Sequence, residues 1–287
     1  MHFRCARYSR GNLDCACRLP ARSPRCRWFW WTASWRCPPP GSPTTYILKP
    51  PIARFSATTE NDAFVMRLAA AVGLDVASVE TRVVRARTFL LIQRYDRALD
   101  GAGVVRRIYQ EDFCQALAVP PETKYANEGS PTFSVCFGLL RRVAARPAVD
   151  LLKLLDAAIF SLISGNADAH GKDFSILYEP QGARLAPLYD LLAAVAYPDL
   201  SPKLAVKIGG RTTLAEMDAT AWAAFAADAG LGLPLVRRPV VELSAAVGDL
   251  AEEVASALMR PGLDEPALSR FVGLVRDRAE HCALTVQ

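Results

Sequence analysis

The chain has 287 residues, of which 51% are hydrophobic and 22% charged, and this ordinary globular balance excludes disorder along its whole length. It contains no uncharged apolar run of the roughly 18 residues that a membrane span needs. The formal net charge of +5 suggests a nucleic-acid partner, but it is unevenly distributed. Residues 1–48 carry eight Arg, no Lys and one acid, for a net +7, so residues 49–287 carry −2. We therefore expect the larger part of the chain to bind neither nucleic acid nor a membrane directly.

Residues 1–43 differ in composition from the rest of the chain. The first 37 residues hold five of the eight Cys, and residues 28–35 hold four of the five Trp. A transit peptide, a zinc site and a nucleic-acid-binding arm are functional alternatives, but prolines oppose an amphipathic helix and no Cys-x-x-Cys pair is present. Read one base over, the codons of residues 28–32 must encode Val, Leu, Val and Asp, which suits a strand and turn. We predict that residues 1–43 are translated out of frame or disordered, which the encoding DNA would decide.

Residues 44–92 are expected to form part of a small α/β lobe. Tyr46–Lys49 predicts a short strand. A helix should begin near Glu60, with capping residues at 56–59, and end at Gly73. Residues 83–84 and 89–92 predict two strands around a turn at 85–88, and the polar residues 94–103 close this unit.

Residues 93–287 are expected to form a larger, mainly helical lobe. Its strongest element is a helix over Pro147–Ser164, where Leu, Ile and Ala recur at the helical period before Gly165. A polar run occupies residues 166–173, and a β-hairpin over 174–178 and 184–188 leads to Asp190. The remainder predicts Ala-rich helix, with a break at 209–210 and a linker at 231–234.

Several ionisable residues lie together in the loop after the long helix. Asp168, His170, Lys172 and Asp173 occupy that loop, and the predicted hairpin returns Asp190 to the same end. One alternative is a solvated loop whose polar residues only cap the helix. Three carboxylates that converge between apolar elements normally require a cation or another partner. We therefore favour a functional site, with Asp168, His170 and Lys172 as its candidate catalytic residues.

The order and spacing of these residues indicate phosphoryl transfer. Protein kinases use a catalytic-loop Asp, a metal-binding residue five positions later, a short hairpin and a second metal-binding Asp. In that scheme Asp168 orients or deprotonates the acceptor hydroxyl, and Lys172 neutralises charge on the moving phosphoryl group. Asp173 and Asp190 hold Mg²⁺. Lys49, which ends a strand ahead of the first helix, is the candidate lysine that grips the nucleotide phosphates.

With these residues in place, the chain resembles the HipA-type serine/threonine kinases, which are toxins of bacterial type II toxin–antitoxin pairs. The resemblance covers residues 43 to 252 and rests on ordered segments: PTTYILKP, TENDAFVMRLAAAVGL, IQRYDR, YQEDFCQAL, KYANEGSP, ISGNADAHGKDFSIL, APLYDLL and KLAVKIGG. It implies an α+β, protein-kinase-like fold with a partial small α/β lobe before a larger mainly helical lobe.

The resemblance also implies roles for single residues. Lys49 binds the ATP phosphates, and Gln93, Arg94 and Tyr95 lie at the hinge that binds adenine. Asp168 is catalytic, and Asp173 and Asp190 bind Mg²⁺. Tyr125 and its neighbours belong to a loop near the acceptor.

Two features depart from the family pattern. Asp173 stands where the family usually has Asn; it still ligates a hard cation but adds one negative charge. The Gly-containing loop that covers the phosphates, similar to S-x-A-G-x-Q-x-K, is not readable, although residues 20–25 allow Gly–Ala–Gln–Pro–Lys in the shifted frame. We therefore predict an N-terminally truncated member of this family.

The function that the resemblance implies is an ATP- and Mg²⁺-dependent protein serine/threonine kinase, impaired by the loss of that loop. Its protein substrate would be a component of translation, its partner a small DNA-binding antitoxin, and its location the bacterial cytoplasm. A catalytically dead remnant that only binds the antitoxin is the main alternative, because kinase catalysis depends on positioning. A third reading is a metal-dependent hydrolase that uses Asp168, His170, Asp173 and Asp190.

Overall fold

The structure is a computed structural model and describes residues 26–31, 34–36, 42–84, 87–120, 129–259 and 263–287. The first part of the chain forms a five-stranded antiparallel sheet in the order β2-β1-β3-β5-β4. Its strands are β1 (Cys26–Trp31), β2 (Ser34–Arg36), β3 (Tyr46–Lys49), β4 (Val79–Val84) and β5 (Arg87–Gln93). The helix α1 (Thr58–Ala71) packs against β4 and β5.

Two of these strands, β1 and β2, fall inside the segment that we predicted to be out of frame or disordered. The antiparallel register places Trp30 opposite Trp35 within the pair, and Arg27 opposite Ile47 of β3. Residues 1–25, 32–33 and 37–41 lie outside the described residues. The reading frame of this segment stays a prediction that only the DNA can test.

In residues 44–93 the predicted order of strand, helix, strand and strand is confirmed. β3 has the predicted bounds, and α1 begins at Thr58, two residues before Glu60. Ala57, the residue before α1, adopts a left-handed φ of 53°. No side chain of the described residues caps the first amides of this helix. The strands are longer than expected, and residues 85–86 of the predicted turn lie outside the described part of the chain.

The second lobe is mainly helical, as predicted, but its first part contains short strands that the sequence analysis did not predict. Three strands occur there: β6 (Arg97–Leu99), β7 (Val105–Arg107) and β8 (Tyr109–Asp112). β6 and β7 form a hairpin around Asp100, whose carboxylate accepts from the amides of Ala102 and Val104. β8 pairs with β9 (Ser175–Glu179), which pairs with β10 (Gly182–Leu185), so the predicted hairpin after residue 173 is confirmed.

The helices of the second lobe surround one long buried helix. They are α2 (Phe113–Ala116), α3 (Phe133–Val143), α4 (Pro147–Ser164), α5 (Ala219–Ala229), α6 (Leu233–Leu258) and α7 (Glu265–Thr285). α4 has the predicted bounds and buries most of its surface. Each large apolar side chain buried there contributes about 1.5–3 kcal/mol to stability. Among the described residues, no single helix is long and apolar enough to cross a membrane.

Residues 191–218 contradict the prediction of Ala-rich helix interrupted only by a break at 209–210. They form extended chain with two short 3₁₀ turns, Ala194–Ala196 and Leu214–Glu216. Pro198 and Pro202 interrupt the backbone bonds that a helix would need. Gly209 has a φ of 55°, and a β-carbon there would lie 1.9 Å from the carbonyl oxygen of Ala221. This segment therefore packs tightly on α5 and passes beside the loop that follows α4.

Candidate active site between the sheet and the helical lobe

Lys49 lies at the centre of an ionic cluster between the two lobes. Its ammonium is 2.5 Å from Oδ2 of Asp62 on α1 and 2.8 Å from Oδ1 of Asp190. Burial lowers the pKa of Lys49, but the two carboxylates outweigh that effect and raise its pKa above the ordinary value. Lys49 therefore stays charged, and it connects the end of β3 to α1 and to the segment after β10.

Asp190 has an unusual backbone conformation for this role. Its φ is 57°, in the left-handed region that residues with a β-carbon seldom adopt, although Asp and Asn tolerate it best. Such local strain persists where the surrounding structure fixes it, and it is concentrated at functional sites. The preceding residue supplies part of that restraint, because the Tyr189 hydroxyl donates to the Lys172 carbonyl at 2.6 Å and contacts Ser175 Oγ at 2.7 Å.

The loop after α4 brings His170 and Asp173 together. Oδ2 of Asp173 accepts from the His170 amide at 2.9 Å and lies 2.7 Å from its Nδ1. Burial raises the pKa of Asp173, His170 opposes this effect, and the negative charge of Asp190 adds to it. The predicted metal pair Asp173 and Asp190 thus lies close enough to interact electrostatically. His170 contacts Asp173, which gives it a role in positioning that carboxylate.

Asp168 lines a cavity of about 650 Å³ together with Lys49 and Asp62. The loop that carries Asp168 is held at its start by α7, where the Arg278 guanidinium donates to the carbonyls of Leu162 and Ile163. Gly165 follows in the left-handed conformation, with a φ of 75°. Lys172 is half-buried further along the same loop. Three of the predicted residues, Lys49, Asp168 and Asp190, therefore meet around one cavity and its ionic cluster.

The predicted hinge residues are part of the protein's own bonding network. The Gln93 amide donates to the Ser78 carbonyl, and the Arg94 amide donates to the Thr45 carbonyl, both at 2.9 Å. The Arg94 side chain forms a two-bond pair with Asp96, at 2.8 and 2.5 Å.

Tyr95 packs its ring 5.9 Å from that of Tyr189, and burial raises its pKa. Arg94 therefore braces the hinge through Asp96, while Tyr95 connects the hinge to the residue before Asp190.

Asp62 and Asn61 are site residues that our sequence reasoning missed. Asn61 is fully buried on α1 and bonds the backbone of Ala193 and the hydroxyl of Tyr197. In kinases a helix after the lysine strand supplies an acid that pairs with that lysine, so an acid in the first half of α1 was the available signal for Asp62.

Asp173 and Asp190 are the oxygen donors that this site would offer to Mg²⁺. No group of three or more His, Cys, Asp or Glu able to hold a metal occurs within the described ranges. Mg²⁺ at kinase sites needs only one or two carboxylates, because substrate phosphates and water complete its octahedron. Asp173 and Asp190, two oxygen donors whose charges repel each other, suit a metal bridged by a nucleotide.

Lys49 ends a strand and pairs with an acid on a helix, Asp168 lies in a loop, and Asp190 follows a hairpin. This order of elements is typical of a protein-kinase-like fold and site. A family model described as the HipA-like C-terminal domain matches residues 30–259. The chain belongs to this family.

Named relatives agree with this assignment. Y4mE of Sinorhizobium fredii, which is provisionally named a kinase, is 62% identical over 252 residues, covering 87% of this chain and 59% of its own length. The serine/threonine-protein kinase toxin HipA of Shewanella oneidensis is 32% identical over 239 residues, covering 79% of this chain and 54% of its own. The chain thus spans 59% and 54% of the lengths of these two relatives.

Solved structures show the same fold. The Shewanella oneidensis toxin–antitoxin complex of HipA, HipB and operator DNA matches with a TM-score of 0.83 and 25% identity, covering 95% of this chain and 67% of that one. The Helicobacter pylori proinflammatory kinase CtkA matches with a TM-score of 0.59 at 10% identity, covering 84% and 90%. The second likeness supports the kinase-like fold alone.

Proposed function

We propose that this chain is an ATP- and Mg²⁺-dependent protein serine/threonine kinase of the HipA toxin class. The observation that carries the proposal is the contact of Lys49 with both Asp62 and Asp190, next to the cavity lined by Asp168. Kinases require this combination of phosphate-gripping lysine, helix acid and metal carboxylate. The family assignment supports the same reaction class.

In the proposed reaction, each residue acts on the transfer of the terminal phosphoryl group. Lys49 would bind the nucleotide phosphates, and the hinge around Gln93, Arg94 and Tyr95 would hold adenine. As the hydroxyl oxygen of a Ser or Thr bonds to the terminal phosphorus and the bond to ADP breaks, Asp168 would accept the hydroxyl proton. Lys172 would offset the negative charge that develops. Mg²⁺ on Asp173 and Asp190 would neutralise the phosphates.

We also propose the setting of this activity. The Shewanella oneidensis relative is described in a complex of HipA, HipB and operator DNA. By analogy, the partner of this chain is a small DNA-binding antitoxin that supplies the DNA contact. The substrate is a protein of the translation machinery, and the site of action is the bacterial cytoplasm.

A second candidate function is a non-catalytic chain that only binds the antitoxin. Asp173 favours it, because this residue adds a negative charge beside Asp190 where the family usually has a neutral Asn, and burial opposes its ionisation. An extra buried carboxylate works against the binding of a polyanionic nucleotide unless a cation compensates.

Nucleotide binding and phosphate transfer test the proposal together. We expect ATP with Mg²⁺ to raise the melting temperature of the wild-type chain, and Asp190→Asn to abolish the shift. Asn tolerates the left-handed backbone at this position, so the variant should fold. Asp168→Asn should retain the shift and lose phosphate transfer. A folded chain with no ATP shift would leave the non-catalytic candidate, and transfer that survives Asp168→Asn would refute the assigned role.

A further inference from the structure

The cavity that Asp168 lines does not include the predicted hinge residues, and its walls combine apolar and basic side chains. Residues 49–62 form one side, and residues 192–212 form the other. The apolar part of the lining is Ile52, Phe55, Leu192, Tyr197, Leu200 and Leu204. Two exposed lysines, Lys203 and Lys207, complete it on the side of the second lobe. The two carboxylates in the lining are Asp168 and Asp62, and Asp62 is already paired with Lys49.

The backbone holds both lysines close to the start of the catalytic loop. Between them, the Ala205 amide donates to the carbonyl of Ala167, the residue before Asp168, at 2.7 Å. The Leu204 amide donates to the Thr212 carbonyl at 2.7 Å, and Ile208 bridges Arg211. A displacement of this segment would therefore break bonds to the residue next to Asp168.

Lys203 and Lys207 differ from Lys49 and Lys153 in their electrostatic surroundings. The ammonium groups of Lys49 and Lys153 each have a carboxylate at 2.5–2.8 Å. Within the described part of the chain, no carboxylate lies within 4.0 Å of the ammonium of Lys203 or Lys207. Two uncompensated cations in a partly enclosed, largely apolar cavity create a local positive potential that favours an anionic ligand.

We propose that this cavity binds the acceptor segment of the protein substrate, and that Lys203 and Lys207 select an acidic side chain near the phosphorylated Ser or Thr. The proposal rests on the kinase function proposed above and names its substrate class. None of the predicted hinge residues lines this cavity, so adenine would lie outside it, and the cavity wall that carries Asp168 is where an acceptor hydroxyl would enter. The apolar wall with Phe55 and Tyr197 suits a peptide segment, whereas RNA would call for a longer basic surface.

Peptide phosphorylation tests this selection directly. The probes are Ala/Gly-based peptides with one Ser, flanked at successive positions by Glu, Gln or Lys. We expect the wild-type chain to prefer one Glu-containing register by about fivefold in kcat/KM over its Gln counterpart, which is the upper end for exposed ion pairs. Lys203→Gln with Lys207→Gln should remove the preference and leave the KM for ATP unchanged. Lys203→Glu with Lys207→Glu should shift it to Lys peptides. Lys153→Gln, a lysine paired with Asp75 outside the cavity lining, is the matched control.

A binding measurement separates this proposal from the kinase function itself. Fluorescence anisotropy of the labelled Glu and Gln peptides should show the same Lys-dependent preference even if no phosphate is transferred, which would refute only the catalytic proposal. Phosphate transfer without any preference for Glu would overturn the acidic selection and leave the kinase function standing. A rise in the KM for ATP in the double Gln variant would assign the lysines to nucleotide phosphates. Displacement of the Glu peptide by polyuridylate RNA would indicate an RNA site.

Discussion

Replacing Asn61 by Ala should destabilise the protein and weaken nucleotide binding together. Asn61 Nδ2 donates to the Ala193 carbonyl at 3.1 Å and to the Tyr197 hydroxyl at 3.2 Å, and its Oδ1 accepts from the Ala193 amide at 2.7 Å. Asn61 and Ala193 are fully buried, so truncation leaves the Ala193 amide without a partner, whereas the Ala193 carbonyl keeps its bond from the Ala196 amide. The unpaired amide costs about 1–3 kcal/mol and each of the two lost donor bonds about 0.5–1.5 kcal/mol, so we expect a loss of about 2–6 kcal/mol in the free energy of unfolding.

The functional effect follows from the elements that Asn61 connects. Asp62 is the next residue on α1, and Ala193 lies three residues after Asp190, so Asn61 holds both carboxylates of the Lys49 cluster in register. Urea denaturation gives the stability change, and calorimetric titration with ATP and Mg²⁺ gives the affinity. Asn61→Asp retains the acceptor for the Ala193 amide but loses both donors and adds a buried charge beside Asp62, so it should also destabilise the chain. A loss below about 1 kcal/mol in Asn61→Ala, with unchanged ATP affinity, would refute this reasoning.

Three further variants test other parts of the structure. Burial, reinforced by Glu242, raises the pKa of Asp156 from 3.8 to about 6, so its contribution to stability is present below pH 3.8 and lost as the pH rises through 6. Asp156→Asn should therefore stabilise the chain by about 1–2 kcal/mol near neutral pH, after allowance for solvent screening, and the gain in urea melts should vanish towards about pH 4. Arg278→Met removes the charged groups that donate to the last carbonyls of α4, and it should lower the free energy of unfolding by about 2–4 kcal/mol. A loss no larger than that of a surface variant such as Arg238→Met would contradict this. Tyr189→Phe deletes the bond to the Lys172 carbonyl and should lower kcat for phosphate transfer more than ATP affinity; an equal effect on both would show that Tyr189 does not position the loop.

Local sequence patterns were sufficient for the elements that carry their own signal. The helix over Pro147–Ser164 has apolar residues at most of the positions that face the core and a glycine stop, so its bounds could be read directly. The strands β6, β7 and β8 are only three or four residues long and too short for a reliable period-two pattern, and were missed. Residues 191–218 were misread because alanines that suit a helix are separated by Pro198, Pro202 and two glycines.

The candidate site was predictable in its order but not in its partners. Spacing along the chain singled out Asp168, Asp173 and Asp190, because kinases use that order. It could not show that Lys49 contacts Asp190 across 141 residues, or that Asn61 bonds Ala193 across 132. Contacts of such separation depend on how helices and sheets pack, and no local pattern encodes that geometry. Arg278 is a further example, because a basic residue in the second half of α7 gives no sign that it caps another helix.

The Lys49 cluster shows why the proposed activity would depend on packing between the two lobes. Its three charged groups lie on β3, on α1 and in the segment after β10. Asp190 is far from the other two in the sequence, so only the packing of these elements keeps the three groups together. Asp62 is almost fully buried, so its charge is tolerable only while Lys49 stays beside it. Asp190 keeps its left-handed backbone only while Tyr189 and the neighbouring segment are fixed. A nucleotide that draws Lys49 towards its phosphates would relieve the contact with Asp190 and free that carboxylate for Mg²⁺. The same three residues therefore connect the stability of the free chain to the binding of its proposed ligand.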